Sequence, residues 1–167
     1  MFELLLVAAL TVQTPQKPAA TWSLTDQYGR VHTPKELKGR VVLLVGGDKD
    51  AAGVSASWIR TTLTALGRGV DTSRVAVVRV ADLRQVPVLA RPFARAQLPT
   101  LDKTPVLLDF DGVIARRYGF ESGNSNQIVL GTDGKVLLHT RGNAVSAVQA
   151  TILAARIRDA IEKAPRP

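Results

Sequence analysis

The chain has 167 residues, 46% of them apolar and 22% charged, a composition sized for one globular domain with its own core. It contains no cysteine and two histidines, which excludes thiol nucleophiles, disulfides and cysteine-ligated metals and argues against a histidine-built metal centre. The formal charge of +8 would suit an anionic partner, but the basic residues are scattered and aromatics make up only 5%, so nucleic-acid binding is not expected.

In chain order, Leu4 to Leu10 is a short apolar run followed by a polar stretch that ends in Lys17-Pro18-Ala19-Ala20. The run is too short to span a bilayer. Residues 1–20 read as a leader or signal peptide, although no Lys or Arg precedes the run; the other reading is a first strand or helix of the domain. Residues 21–167 form the domain. Trp22–Leu24 and Arg30–His32, joined through Asp26-Gln27-Tyr28-Gly29, predict a small hairpin. Val41 to Val45 is a continuous β-branched and apolar run, the pattern of a central strand buried on both faces. After the loop Gly46–Gly53, the spacing of Val54, Trp58, Ile59, Leu63 and Leu66 predicts a helix that stops at Gly67.

Val75 to Val80 is the next expected strand, and Leu83 to Leu98 holds one or two short helices interrupted by Pro87 and Pro92. Pro105–Leu108 predicts a third strand and Val113–Tyr118 a short helix. Ile128–Leu130 and Lys135–His139 predict a hairpin around Thr132-Asp133-Gly134. Asn143 is the expected cap of a last helix whose apolar stripe is Val145, Val148, Ile152, Leu153, Ile157 and Ile161, with Pro165 beyond its end. There is no internal repeat and no low-complexity segment. Two parallel βα units, a late antiparallel hairpin and a closing helix make an α/β sandwich with a mixed sheet, flanking helices and an N-terminal β-hairpin.

This order resembles the thioredoxin-like fold. Trp22 to Arg30 followed by Leu37 to Val45 is similar to the opening of redoxin and peroxiredoxin domains. Pro105–Asp109 with Ala115–Gly119, and Ile128–Val136, resemble their later strand, helix and hairpin. The resemblance implies a reactive cysteine in the loop and first turn after the central strand, where this chain reads Gly46-Gly-Asp-Lys-Asp-Ala-Ala-Gly-Val-Ser55. It also implies a cis-proline before the hairpin strand, a position that falls at or near Ser125. Both marks of redox chemistry are missing. A cysteine-free chain of this order, with Leu108-Asp-Phe-Asp-Gly-Val-Ile-Ala-Arg116, is similar to the YtfJ-type family of exported bacterial proteins, which implies export to the periplasm. If residues 1–20 belong to the domain, a cytoplasmic location is the alternative.

The leading functional expectation is a redox-inactive binding or regulatory module. Lys49, Ser55 and Ser57 at the helix start, facing an Asn124-Ser125-Asn126 loop, would offer amides and hydroxyls to an anion or to an extended peptide of a protein partner. The alternative is an enzyme, either another non-thiol hydrolase or an aspartate-based phosphatase. Asp109-Phe-Asp111-Gly112 after a strand is similar to the first motif of haloacid-dehalogenase-type phosphatases, in which the first Asp attacks phosphorus and the second moves a proton beside magnesium. The residues after Gly112 lack the adjacent acidic pair of those enzymes. No motif calls for a resident cofactor or metal. Gly53-Val-Ser55-Ala-Ser57 lacks the last glycine of a nucleophile elbow, and His32 and His139 have no evident carboxylate orienter in sequence.

Overall fold

The computed structural model describes residues 21–98 and 104–164. The expected leader, residues 1–20, and Pro165 lie outside them. The strands are β1 (Leu24–Thr25), β2 (Val31–His32), β3 (Val41–Gly47), β4 (Val75–Asp82), β5 (Val106–Asp109), β6 (Ser125–Leu130) and β7 (Val136–Gly142). The α-helices are α1 (Ala52–Leu66), α2 (Arg91–Ala96), α3 (Val113–Tyr118) and α4 (Ala147–Lys163). β1 and β2 form a separate hairpin, and the main sheet has five strands in the order β5-β4-β3-β6-β7.

β3 is central because every one of its residues is buried, and its two neighbours run in opposite senses. β4 pairs with it in parallel, Val41 against Val75 through Gly47 against Ala81, and β6 pairs antiparallel, Val42 against Leu130 through Gly46 against Asn126. The two-residue period of a strand then sorts its side chains between two cores. Val41, Leu43 and Val45 face Trp58 and Leu66 of α1 and Leu153, Ala154, Ile157 and Ile161 of α4. Val42 and Leu44 face Trp22 and Leu24, Ile114 and Ala115 of α3, and Phe120. Full burial of a side chain such as Leu153 or Ile157 contributes roughly 1.5–3 kcal/mol, so these two layers hold the sheet and helices together.

The hairpin protects the free edge of β5. Asp26 makes an isolated antiparallel bridge to Leu107. The Gln27 carboxamide takes the place of a strand neighbour: its Oε1 accepts from the Val106 amide at 2.7 Å and its Nε2 donates to the Thr104 carbonyl at 3.1 Å. Asp26 Oδ1 accepts from the amides of Tyr28 and Arg30, which closes the hairpin turn.

The expected architecture is the observed one, with local differences. β3 extends through Gly46 and Gly47, and β6 begins at Ser125, so the polar run expected as a loop starts a buried strand. Pro92 does not interrupt a helix but sits in the first turn of α2, where its missing N–H costs nothing. The cap of α4 is Ser146, whose hydroxyl accepts from the Gln149 amide, and not Asn143. Val148 and Ile152 of the expected apolar stripe are 71% and 50% exposed, and the small residues Ala150 and Ala154 lie inward instead.

Candidate functional site

The region at issue lies where β3 ends, α1 begins and β6 starts. Gly46 and Gly47 make it compact. A Cβ on Gly46 would fall 2.7 Å from the Val80 carbonyl oxygen, and one on Gly47 would fall 2.7 Å from both the Asn124 carbonyl oxygen and Ala51 Cβ. A side chain at Gly46 would therefore strike β4 and Phe120, and one at Gly47 would push the start of α1 and the approach to β6 apart.

Asp48 is the organising residue. Its Oδ1 accepts from the amides of Asp50 and Ala51 at 3.1 and 3.3 Å, and its Oδ2 accepts from the Ser122 hydroxyl at 2.7 Å and the Gly123 amide at 2.8 Å. One carboxylate thus caps the turn that leads into α1 and ties it to the segment before β6. Burial pushes its pKa upward, but these four hydrogen bonds outweigh that effect and hold the group below the usual carboxylate value. The amides expected to receive an external anion are occupied by the chain's own anion.

Ser55 and Ser125 do meet, with their hydroxyl oxygens 2.9 Å apart. Ser55 also bonds the Ala51 carbonyl at 2.9 Å, and only its single proton can be donated there. Ser125 must then donate to Ser55. Ser125 in turn accepts from Gln127 Nε2 at 2.9 Å, while Gln127 Oε1 accepts from the Thr140 hydroxyl at 3.1 Å. The result is a directed chain of hydrogen bonds from β7 through β6 into the first turn of α1. It contains no base to activate Ser55, and its proton faces a backbone carbonyl.

Three of the expected ligand-binding positions are placed differently from the sequence expectation. Ser125 and Asn126 are fully buried members of β6 and not loop residues. Asn126 Nδ2 donates to the carbonyls of Gly46 and Asn124, and its Oδ1 accepts from the Glu121 amide. Ser57 lies two residues from Ser55, about 200° around the helix, and accepts from Arg60 instead of facing β6. Lys49 is exposed and Asn124 is half-buried. Lys49 lines a cleft of about 620 Å³ with Asp48, Arg84, Gln85, Pro87 and Ser122. Arg84 is anchored there by a two-point bond to Asp82 at 2.7 and 2.8 Å.

One wall of the cleft, from Val86 to Ala90, leads into an apolar ridge that sequence reasoning missed. Val88 is 70% exposed, Leu89 92% and Phe93 74%. Asp48 and Gln127 were missed as well. Asp48 had a signal, an acidic residue just ahead of a helix, whereas the ridge had none, because apolar residues between prolines do not announce which way they face.

The aspartate pair is split between two environments. Asp109 is fully buried at the end of the edge strand β5. Its Oδ1 accepts from the Val113 amide at 2.7 Å, and its Oδ2 accepts from Ile114 at 2.9 Å and Ala115 at 2.8 Å. It caps α3. Asp111 is exposed and pairs with Arg91 at 3.3 Å. His32, by contrast, has the carboxylate partners that its sequence neighbours did not reveal: Nε2 lies 3.0 Å from Asp26 Oδ2 and Nδ1 lies 3.0 Å from Glu36 Oε2. Among the described residues no three His, Asp or Glu side chains converge on a metal position, and no peptide bond is cis, including that of Ser125.

No family model and no curated protein matches the sequence. Solved structures do match the fold. An exposed lipoprotein thioredoxin from Streptococcus pneumoniae is 21% identical, with a TM-score of 0.60, covering 82% of this chain and 98% of that one. A putative thiol:disulfide interchange protein DsbE from Chlorobium tepidum is 20% identical with a TM-score of 0.60, covering 87% and 96%. Peroxiredoxin Q from Xanthomonas campestris is 18% identical with a TM-score of 0.56, covering 83% and 92%. The sheet order, the flanking helices and these neighbours together establish a thioredoxin-like fold, here in a chain that carries no cysteine.

Proposed function

We propose that the chain is an exported, redox-inactive module of the YtfJ type that binds an extended segment of a protein partner across the Lys49 cleft. The observation that carries this reading is the ridge of Val88, Leu89 and Phe93 beside that cleft. Three large apolar side chains left in water are anchors: burying Leu89 or Phe93 under a partner is worth roughly 1.5–3 kcal/mol each. Lys49, Arg84 and Gln85 line the cleft and supply the polar contacts that would fix direction. Ser55, Ser125 and Asn126 do not line the cleft; their hydrogen bonds hold the start of α1 and the end of β3 against β6. With Asp48 filling the amide cradle, a peptide fits this surface better than a free anion does. Export is supported by the apolar run Leu4–Leu10 and by the resemblance of Leu108–Arg116 to that family; the pneumococcal neighbour is itself an exposed lipoprotein.

The test is photo-crosslinking in cells with probes at Lys49 and Leu89 and a control probe at the exposed Thr151 on α4, combined with fractionation and the mass of the mature chain. The expected result is one partner captured from both cleft probes in an exported fraction, absent from the control and lost when Phe93→Asp is added. Equal capture from all three positions, or none from the cleft, would refute the site. A chain retained in the cytoplasm with residues 1–20 intact would refute export.

A further inference from the structure

We propose that the chain has a second ligand site, at the other end of β3 and β6, that takes a small amphipathic carboxylate such as a medium-chain acyl anion. A pocket of about 290 Å³ opens there between the Pro34–Leu37 turn and the β6–β7 turn, and Trp22, Leu37, Val42, Leu44, Tyr118 and Leu130 line it. Val42, Leu44 and Leu130 are 2%, 1% and 5% exposed, so the floor is core surface reached from outside and offers no charged group to a ligand. The volume sits at the small end of ligand pockets, which suits a body of about eight carbons or one aromatic ring better than a long chain.

The mouth of the pocket carries uncompensated positive charge. Lys35 and Lys38 both line it. Lys35 lies in the 3₁₀ turn and Lys38, three positions on, is the residue that ends it, a spacing that brings both to the same side. Neither ammonium group has a hydrogen bond or ion pair among the described residues. The nearby carboxylates are already engaged. Glu36, between the two lysines, accepts from the Thr33 amide and meets His32 on the other side of the turn. Asp133, on the facing wall, accepts from the Lys135 amide at 3.1 Å and pairs with Lys135 Nζ at 3.2 Å. The two walls are tied together by the Gly39 amide, which donates to the Thr132 carbonyl at 3.3 Å. An apolar floor under two free cations is complementary to an anion with an apolar tail, and to neither a neutral hydrocarbon nor an inorganic anion.

The experiment titrates the full chain with octanoate below its micelle-forming concentration and follows amide and indole signals by NMR. Trp22 lines the pocket, whereas Trp58 packs in the core on the opposite face of the sheet, so the two indole N–H signals give an internal control. Saturable shifts are expected at Trp22, Leu37, Tyr118 and Gly131, with no change at Trp58. The exposed double variant Lys35→Glu, Lys38→Glu should bind octanoate about tenfold more weakly while binding 1-octanol unchanged. Equal affinity for octanoate in both proteins would overturn the assignment of an anion. Shifts that spread to Trp58, or none at the pocket, would overturn the site itself. Crosslinking from Lys49 and Leu89 reads a different surface, so this inference and the proposed partner site stand or fall separately.

Discussion

Replacing Asp109 separates a structural carboxylate from a catalytic one. In Asp109→Ala the amides of Val113, Ile114 and Ala115 lose their acceptor. Val113 is exposed and its amide can recover water, but Ile114 and Ala115 are fully buried. Two buried donors left unpaired, at roughly 1.5–2 kcal/mol each, put the cost at about 3–4 kcal/mol. For a chain of this size that lowers Tm by about 10 °C. Asp109→Asn should cost nearly as much, because the carboxamide nitrogen must face at least one amide hydrogen whichever way it turns. Asp111→Asn, at an exposed ion pair, should change stability by less than about 0.5 kcal/mol. Urea unfolding followed by circular dichroism measures all three, and hydrogen exchange at Ile114 and Ala115 should quicken in the Asp109 variants. An Asp109→Asn protein within 1 kcal/mol of the parent that lost a magnesium-dependent phosphatase activity would refute this reasoning and restore the aspartate-based enzyme.

Two further outcomes follow from the geometry. Carboxylates only accept hydrogen bonds, so both contacts of His32 need an imidazolium. Burial lowers its pKa, but the bonds to Asp26 and Glu36 outweigh burial and raise it above the ordinary imidazole value. Its stabilisation is therefore complete below about pH 6.5 and disappears as pH rises through the elevated folded-state value. Asp26, where burial is outweighed by bonds from His32, Arg30 and Tyr28, is shifted down, so its contribution is lost as pH falls through that depressed value. An NMR titration should find His32 with a midpoint above 6.5 and His139, which burial pushes down, below it; the reverse order would contradict the structure. At the glycines, Gly47→Ala should destabilise by about 1–3 kcal/mol because its Cβ meets backbone, whereas Gly53→Ala on α1, with open space around it, should stabilise by about 0.5–1 kcal/mol. Equal effects of the two substitutions in thermal melts would show that crowding at the end of β3 is not what requires Gly47.

What could be read from the sequence was whatever a local pattern encodes. Val41–Val45 announced a strand with two buried faces, Gly67 a helix end and Asp133-Gly134 a turn, because in each case the residues involved are neighbours in the chain. Ser125 and Asn126, expected in a loop, belong to β6 because their polarity is satisfied from afar, by Ser55 and by the Gly46 carbonyl. The α4 stripe was drawn too wide for a similar reason. The close approach of α1 selects Ala150 and Ala154 for the inward face and leaves Val148 and Ile152 outside, a choice made by the partner helix and not by period. At the candidate site the meeting of Ser55 with Ser125 rested on an inferred fold and was found. The preoccupied amides, the apolar ridge and the carboxylates around His32 depend on side-chain direction, which spacing does not encode.

The Gln27 carboxamide has a consequence for how this protein behaves in a crowd. A sheet with five strands has two rims on which a stranger's backbone can grow. At β7 the irregular register between Val129 and Leu130 and the exposed Arg141 make an uneven template. At β5 the rim is shielded by one short hairpin, held by the Gln27 carboxamide, by the Asp26–Leu107 bridge and by burial of Trp22 and Leu24 in the core. A substitution at Gln27 removes both of its hydrogen bonds along β5 and would expose part of Val106-Leu107-Leu108, an apolar β-forming sequence. Because Trp22 and Leu24 of the hairpin segment are also buried against Val42 and Leu44, uncovering the β5 rim would open that core layer as well, so the rim and the core are protected by the same contacts.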